Sequence, residues 1–262
     1  MAVNYSCDQL KDYLEWDIDT WKHALGYWDD LLEQQVIGGL LERQAVNSLL
    51  ERQAYNGMMA LELGARNGGL SLYLARKGME VICSDLGGPT QQARELFEQR
   101  ELAGLISCES IDATAIPYQQ GSFDVVIFKS VLGGIGMASG FEGIEQAVRE
   151  IYRVLKPGGV LLFAENQEGS FIHRQSRRLF VPWGKSWLYP TMRQIEDLMS
   201  TFDEYAIRSY GFFSCFRKDF APYVFADRLL CRSPRSHNHY MAFGHGRKSS
   251  QISTASRHDS SG

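Results

Sequence analysis

Residues 60–78 read ALELGARNGGLSLYLARKG, and the order of local structures they dictate decides the fold. Met58-Met59-Ala60-Leu61, ahead of Glu62, is a short apolar, strand-like run. Gly64-Ala65-Arg66-Asn67-Gly68-Gly69 is a glycine turn, and Leu70-Ser71-Leu72-Tyr73-Leu74-Ala75 starts a helical pattern. A strand that turns through glycines into a helix brings backbone N–H groups and the positive end of a helix dipole to a ligand. Gly64 lets the chain leave the strand sharply, and Gly68 lets backbone approach a ligand with no Cβ in the way. Arg66 implies that its own position needs no positive φ, or carries one at some cost. A dinucleotide fingerprint wants a glycine where Arg66 stands, which argues against an NAD-dependent reductase or epimerase.

Moving outward, Gly78 stops the helix and Glu80–Asp85 reads as a second strand. Its last residue, Asp85, is an acid at a strand's carboxyl end, the usual place for a carboxylate that accepts from a ribose diol. The competing reading, a cap on the next helix, is weakened by Gly87-Gly88-Pro89 before the helical run Thr90–Leu102. Leu105–Ile111 is a third strand, followed by Asp112-Ala113, and Phe123–Phe128 a buried fourth after the Gly121-Ser122 turn. Ile144–Leu155 is an amphipathic helix that stops at Lys156-Pro157-Gly158-Gly159 ahead of strand five, Val160–Ala164. Thr191 caps a helix over Met192–Met199, and Ala206–Phe213 and His239–His245 read as the last strands. Alternating strands and helices predict an α/β fold with a mostly parallel sheet, helices on both faces and ligands beyond the strands' carboxyl ends.

Three of these stretches together resemble the class I (Rossmann-like) S-adenosylmethionine-dependent methyltransferases, type 11 family. They are the acid-and-glycine turn (Glu62, Gly64, Gly68), Ile116-Pro-Tyr-Gln-Gln-Gly-Ser-Phe-Asp-Val-Val126, and Arg153-Val-Leu-Lys-Pro-Gly-Gly159. The resemblance is good over residues 57 to about 165 and loose elsewhere. It implies a seven-stranded sheet with an antiparallel seventh strand and S-adenosyl-L-methionine as cofactor. It further implies a cofactor site at Glu62, Gly64, Ala65, Arg66, Gly68, Asp85, Leu86, Asp112, Ala113 and Lys129. Asp85 takes the ribose, Asp112 the adenine amino group, and the next backbone N–H lies near the ring.

The flanks divide the chain into 1–56, an N-terminal helical cap; 57–247, the main domain; and 248–262, a polar tail expected to be disordered. In the cap, Trp21, Leu25, Trp28, Leu32 and Val36 recur at helical spacing after Trp16, and a second helix is expected over Leu40–Tyr55. The tryptophans either pack that helix on the sheet or form a lid over the site. Insertions are expected near 165–190 and 212–236, both rich in aromatics and placed to wall a pocket.

With 262 residues, 44% hydrophobic and 22% charged, the chain has enough for one domain with a sizeable core. A net charge of −4 without a concentrated basic stretch beyond Arg174, Arg177 and Arg178 disfavours a nucleic-acid surface. No run of 18 apolar residues and no basic-then-apolar leader appears, so the expected location is cytoplasmic, with no membrane span. Five dispersed cysteines without C-x-x-C spacing predict no metal site, and Cys83 and Cys108 fall inside strands. Oligomeric state is not legible.

Methyl transfer to a hydroxyl needs alignment, dehydration and proton removal. The catalytic candidates are Glu165 at the end of strand five and His173 in the insertion, whose imidazole has a suitable ordinary pKa. Lys129 either orients an acceptor oxygen or pairs with an acid. The three arginines either clamp a phosphate or carboxylate or form a solvated face. The acceptor is expected to be a small molecule, O-methylated on a sugar, lipid-linked or natural-product intermediate. The alternatives are N- or C-methylation, or a catalytically silent adenosyl-binding scaffold or partner protein.

Overall fold

The computed structural model describes residues 18–40, 55–182, 185–216 and 220–250. Residues 1–17 and 41–54, which hold Trp16 and most of the expected second N-terminal helix, lie outside the described residues, as do 251–262.

Seven strands form one sheet in the order β3-β2-β1-β4-β5-β7-β6. They are β1 Met59–Leu63, β2 Glu80–Asp85, β3 Ile106–Ser110, β4 Phe123–Lys129, β5 Leu155–Asn166, β6 Glu204–Tyr210 and β7 Met241–Arg247. β1 pairs in parallel with β2 and with β4, so the strand order reverses between β1 and β4. A parallel sheet opens a crevice beyond the strand ends at such a reversal. β7 runs antiparallel to both β5 and β6, as the resemblance implies.

Both faces of the sheet are covered, which is why β4 and β5 read as unbroken apolar runs. Val125, Ile127, Val160 and Leu162 face one layer, made by α1 Ile18–Leu40, α2 Gly69–Arg76 and α3 Gln91–Gln99. Val126, Phe128, Leu161 and Phe163 face the other, made by α4 Leu132–Val154 and α6 Met192–Met199.

For its described side chains, α1 is a sheet-packing helix. Trp28 is fully buried, and its indole N–H donates to the Gly244 carbonyl of β7 at 3.1 Å. Asp29 ties the same helix to α2, receiving Lys77 at 2.6 Å and the Tyr73 hydroxyl at 2.7 Å.

Several elements differ from the sequence reading, among them β5, which begins at Leu155, and β6, which runs over Glu204–Tyr210. α4 begins at Leu132, twelve residues before the expected start, and kinks at Gly140, where φ is 69°. Gly133, Gly134 and Gly136 lower helix propensity and hide this first half. They are there because Trp187 and Leu188 lie against the helix: a Cβ on Gly133 would sit 1.8 Å from the Trp187 indole nitrogen. The expected insertions contain helices of their own, α5 Phe171–Phe180 and α7 Ala221–Leu230. β7 starts two residues after the expected His239. Lys248, expected in a disordered tail, extends the β5–β7 ladder instead, donating its backbone N–H to Gly159 O at 3.0 Å. Its ammonium reaches the Tyr152 and Leu155 carbonyls at the end of α4, at 2.9 and 2.8 Å.

Candidate functional site

A cavity of about 760 Å³ opens beyond the carboxyl ends of β1, β2 and β4, at the strand-order reversal. Its size suits a cofactor together with part of a small acceptor. Every residue of the expected cofactor set lines it except Gly68.

Glu62, 3% exposed, ends β1 under the start of α2. Its carboxylate accepts the Ser71 N–H at 2.6 Å and the Ser71 hydroxyl. Burial pushes its pKa up to about 7, against the pull of those two donors and of the Lys129 charge. Gly64 follows at φ 66°, where a Cβ would press on Val131. Arg66 has φ 46°, so this side chain accepts left-handed backbone. The strained residue is held from both sides. Its N–H donates to Asp85 Oδ2 at 3.0 Å, and its carbonyl accepts from Thr90 N at 3.0 Å.

Asp85 and Leu86 close the far side, and Leu86 is 71% exposed, an apolar side chain standing at the end of a strand. Asp112 receives the Thr114 N–H and hydroxyl on one oxygen, at 2.8 and 2.7 Å, which locks the turn after β3. Ala113 and Thr114 line the cavity beside it. Lys129 and Ser130 come from the end of β4, with Ser130 at φ 53° and its hydroxyl accepting from Asn166 at 2.9 Å.

Gly68 has a packing task that the sequence did not show. It caps α2 at φ 72°, but a Cβ there would run into the Phe97 ring at 2.3 Å. The missing Cβ makes room for packing between α2 and α3.

Glu165 and His173 stand outside the cavity lining. Glu165 is fully buried and accepts from Leu132 N at 2.8 Å and Asn166 N at 3.0 Å, which caps the start of α4. Burial pushes its pKa up to about 7 as well. His173 is 2% exposed inside the capping box of α5. One ring nitrogen, Nδ1, takes the Ser170 N–H at 3.1 Å, and Nε2 reaches the Phe212 carbonyl at 2.7 Å. A neutral imidazole with its proton on Nε2 satisfies both. Both ring nitrogens are bonded within the protein and the ring is buried, a structural task in the turn that opens α5.

Sequence reasoning did not single out Asn166, Trp187 or Tyr189 as lining residues, although an aromatic wall from 171–190 was expected. Trp187 lies over Gly133 and Gly134 and closes the cavity from the α4 side, with Tyr189 beside it. Ser130 and Asn166 carry no motif; only the ends of β4 and β5, once located, identify them.

Residues 61–163 match the family model described as "Methyltransferase domain". Demethylmenaquinone methyltransferase of Thermus thermophilus is 35% identical over 117 residues, 42% of this chain and 50% of that protein. Malonyl-[acyl-carrier protein] O-methyltransferase of Enterobacter lignolyticus is 33% identical over 103 residues, 39% of this chain and 37% of that protein. The chain therefore spans half or less of the length of these two relatives. Among solved structures, a putative sarcosine dimethylglycine methyltransferase from Galdieria sulphuraria superposes with a TM-score of 0.53 at 18% identity. That match covers 75% of this chain and 80% of the other, and shows the shared fold.

Proposed function

We propose that this chain is a class I (Rossmann-like) S-adenosylmethionine-dependent methyltransferase that binds S-adenosyl-L-methionine in the 760 Å³ cavity and methylates a small molecule there. The observation that carries the reading is the meeting of Glu62, Asp85 and Asp112, from successive strand ends, on one cavity at the strand-order reversal. Those residues fit the group: Asp85 and Asp112 offer acceptors for a ribose diol and an exocyclic amine, and exposed Leu86 offers an apolar surface for a base. Gly64, Ala65 and Arg66 present backbone at the mouth of α2, with Glu62 below to receive an ammonium group. When bound, the cofactor supplies an electrophilic methyl on a sulfonium.

The rest of the work is positioning. Trp187 and Tyr189 exclude water on the acceptor side, and Lys129, Ser130 and Asn166 supply polar groups between the two halves. Oxygen is our reading of the acceptor atom, with nitrogen and carbon as alternatives. The relatives include both an O-methyltransferase and a C-methyltransferase by name. With His173 enclosed, a base for a hydroxyl acceptor is to be sought among the groups lining the cavity. We infer no metal in this chemistry, and no nucleic acid or membrane partner. Among the described residues no helix is long and apolar enough to cross a membrane.

The test is incubation of metabolite extracts with isotopically labelled S-adenosyl-L-methionine and mass spectrometry for a labelled methyl. Labelled product from small molecules is the expected result. Tight cofactor binding with no transfer to any extract would favour the silent-scaffold alternative, and transfer only to bulk RNA or protein would overturn the small-molecule reading.

A further inference from the structure

A second cavity, about 480 Å³, adjoins the first and shares Tyr189 with it; its other lining residues are Glu168, Arg174, Arg177, Arg178 and Lys185. We propose that this cavity is the seat of a phosphate-type anion carried by the methyl acceptor. The proposal rests on the methyltransferase reading for the word acceptor; the anion site itself does not.

Four cations face one carboxylate here, in a chain whose net charge is −4. That carboxylate is already engaged, with Glu168 holding Arg174 at 3.0 Å. Among the described residues no acid forms an ion pair with Arg177, Arg178 or Lys185. Arg177 is a preorganised floor for the pocket. Its Nη1 donates to the Gln167 and Glu168 carbonyls, both at 2.8 Å, and its guanidinium stacks over the Tyr189 ring at 4.0 Å. A guanidinium fixed in one orientation loses little entropy when an anion arrives. Burial lowers the Arg177 pKa, so its charge is carried at a cost that an incoming anion offsets.

The chemistry favours phosphate over a carboxylate. A carboxylate fills one guanidinium fork, whereas phosphate oxygens can engage several cations converging from different directions. Arg174 and Arg178 come from α5, and Lys185 from the segment leading to Trp187 and Tyr189, so the cations lie on two separate pieces of chain. Because Tyr189 borders both cavities, an anion seated here would place the rest of the same molecule against the aromatic wall of the larger one. The source is either a soluble phosphate ester or a lipid headgroup. Phe171, Ile172, Leu179 and Phe180 on α5 are exposed beside the arginines, which keeps the lipid source in view.

Pyrophosphate titration by calorimetry tests the site directly, on the wild type and on the double variant Arg178→Glu with Lys185→Glu. S-adenosyl-L-methionine is titrated into the same preparations. We expect wild-type binding of pyrophosphate that weakens at least tenfold in the double variant, while cofactor affinity changes less than twofold. The conservative pair Arg178→Lys with Lys185→Arg retains binding, and Arg149→Glu, a distant charge reversal, leaves it intact. Sedimentation with phosphatidylcholine vesicles, with and without phosphatidic acid, reports the source. Capture only with phosphatidic acid, lost in the double variant, identifies a headgroup; pyrophosphate binding without vesicle capture identifies a soluble ester. Wild type that binds neither probe, or a double variant or Arg149→Glu protein that alters binding equally, overturns the anion site. Failure of the wild type to bind S-adenosyl-L-methionine would sink the methyltransferase reading alone.

Discussion

At the ends of β1 and β2 and in the turn after β3, acidic side chains open onto the cavity. Beyond β5 and β6, three buried ionisable groups that line neither cavity hold backbone. Glu62, Asp85 and Asp112 belong to the first region, and Glu165, His173 and Asp227 to the second. The difference follows from what surrounds each set. The strands of the first region pair on both sides or end in short turns, so most backbone groups are satisfied by ladders and helices. The second region is built of longer connections that bury N–H and carbonyl groups without a ladder, and a buried backbone group must find a partner. Glu165, His173 and Asp227 are consumed in supplying one, while Arg174, Arg178 and Lys185 line the second cavity. The acids of the first region hold a backbone N–H and also border the cavity, whereas Glu165, His173 and Asp227 hold backbone and line neither cavity.

The largest effect that bears on this contrast is expected for Asp227→Ala. Asp227, fully buried on α7, accepts from Phe213 N at 2.7 Å, Ser214 N at 3.0 Å and the Ser214 hydroxyl. Its loss strands three donors, at roughly 1–3 kcal/mol for each group left unsatisfied. Denaturant unfolding should show a loss on the order of 3 kcal/mol or more, while the folded fraction binds S-adenosyl-L-methionine as the wild type does. A variant as stable as the wild type would erase the distinction between the halves.

Asp85→Ala should do the reverse. Among the described residues the carboxylate holds one strained N–H, that of Arg66, so the fold should lose about 0.5–1.5 kcal/mol. Cofactor affinity should fall by about 1.5–3 kcal/mol, the range for hydrogen bonds to a charged group. Calorimetry giving equal affinities would remove Asp85 from the site.

Legibility followed the same division. From 57 to 164 the motifs located each strand to within a few residues, because glycine and proline chemistry at the turns is local and the apolar runs are buried on both faces. The start of α4 was missed there because Gly133, Gly134 and Gly136 answer to Trp187 and Leu188, fifty or so residues away. Local propensity cannot register a partner that distant. Gly68 was placed correctly in the turn, but its packing neighbour was not legible, since Phe97 meets it only after α3 folds back. Around 165–190 the aromatic wall could be anticipated from composition. Which side His173 faces depended on a helix, α5, whose apolar residues Phe171, Ile172, Leu179 and Phe180 point outward and so give no core-facing stripe to read.

The smallest effect is the most selective, and it concerns His173. Burial lowers its pKa below the ordinary value near 6.5, against the opposing pull of the Phe212 carbonyl. In the unfolded chain the imidazole takes its proton near 6.5; in the folded chain it resists protonation to a lower pH. Between those two values the unfolded state binds more protons, so stability contributed by His173 is complete above about pH 6.5 and declines as pH falls below it. His239 and His245 are lowered in the same direction, but they remain in both proteins and cancel in a difference. The stability gap between wild type and His173→Ala, measured by denaturant unfolding, should therefore be widest at pH 7–8 and narrow toward pH 5. Over the same range, the pH profile of methyl transfer by the folded variant should keep the shape of the wild-type profile. A gap independent of pH would mean that the folded protein protonates His173 as readily as water does. A rate rise that flattens on substitution would return His173 to the acceptor as its base, and with it the second region to catalysis.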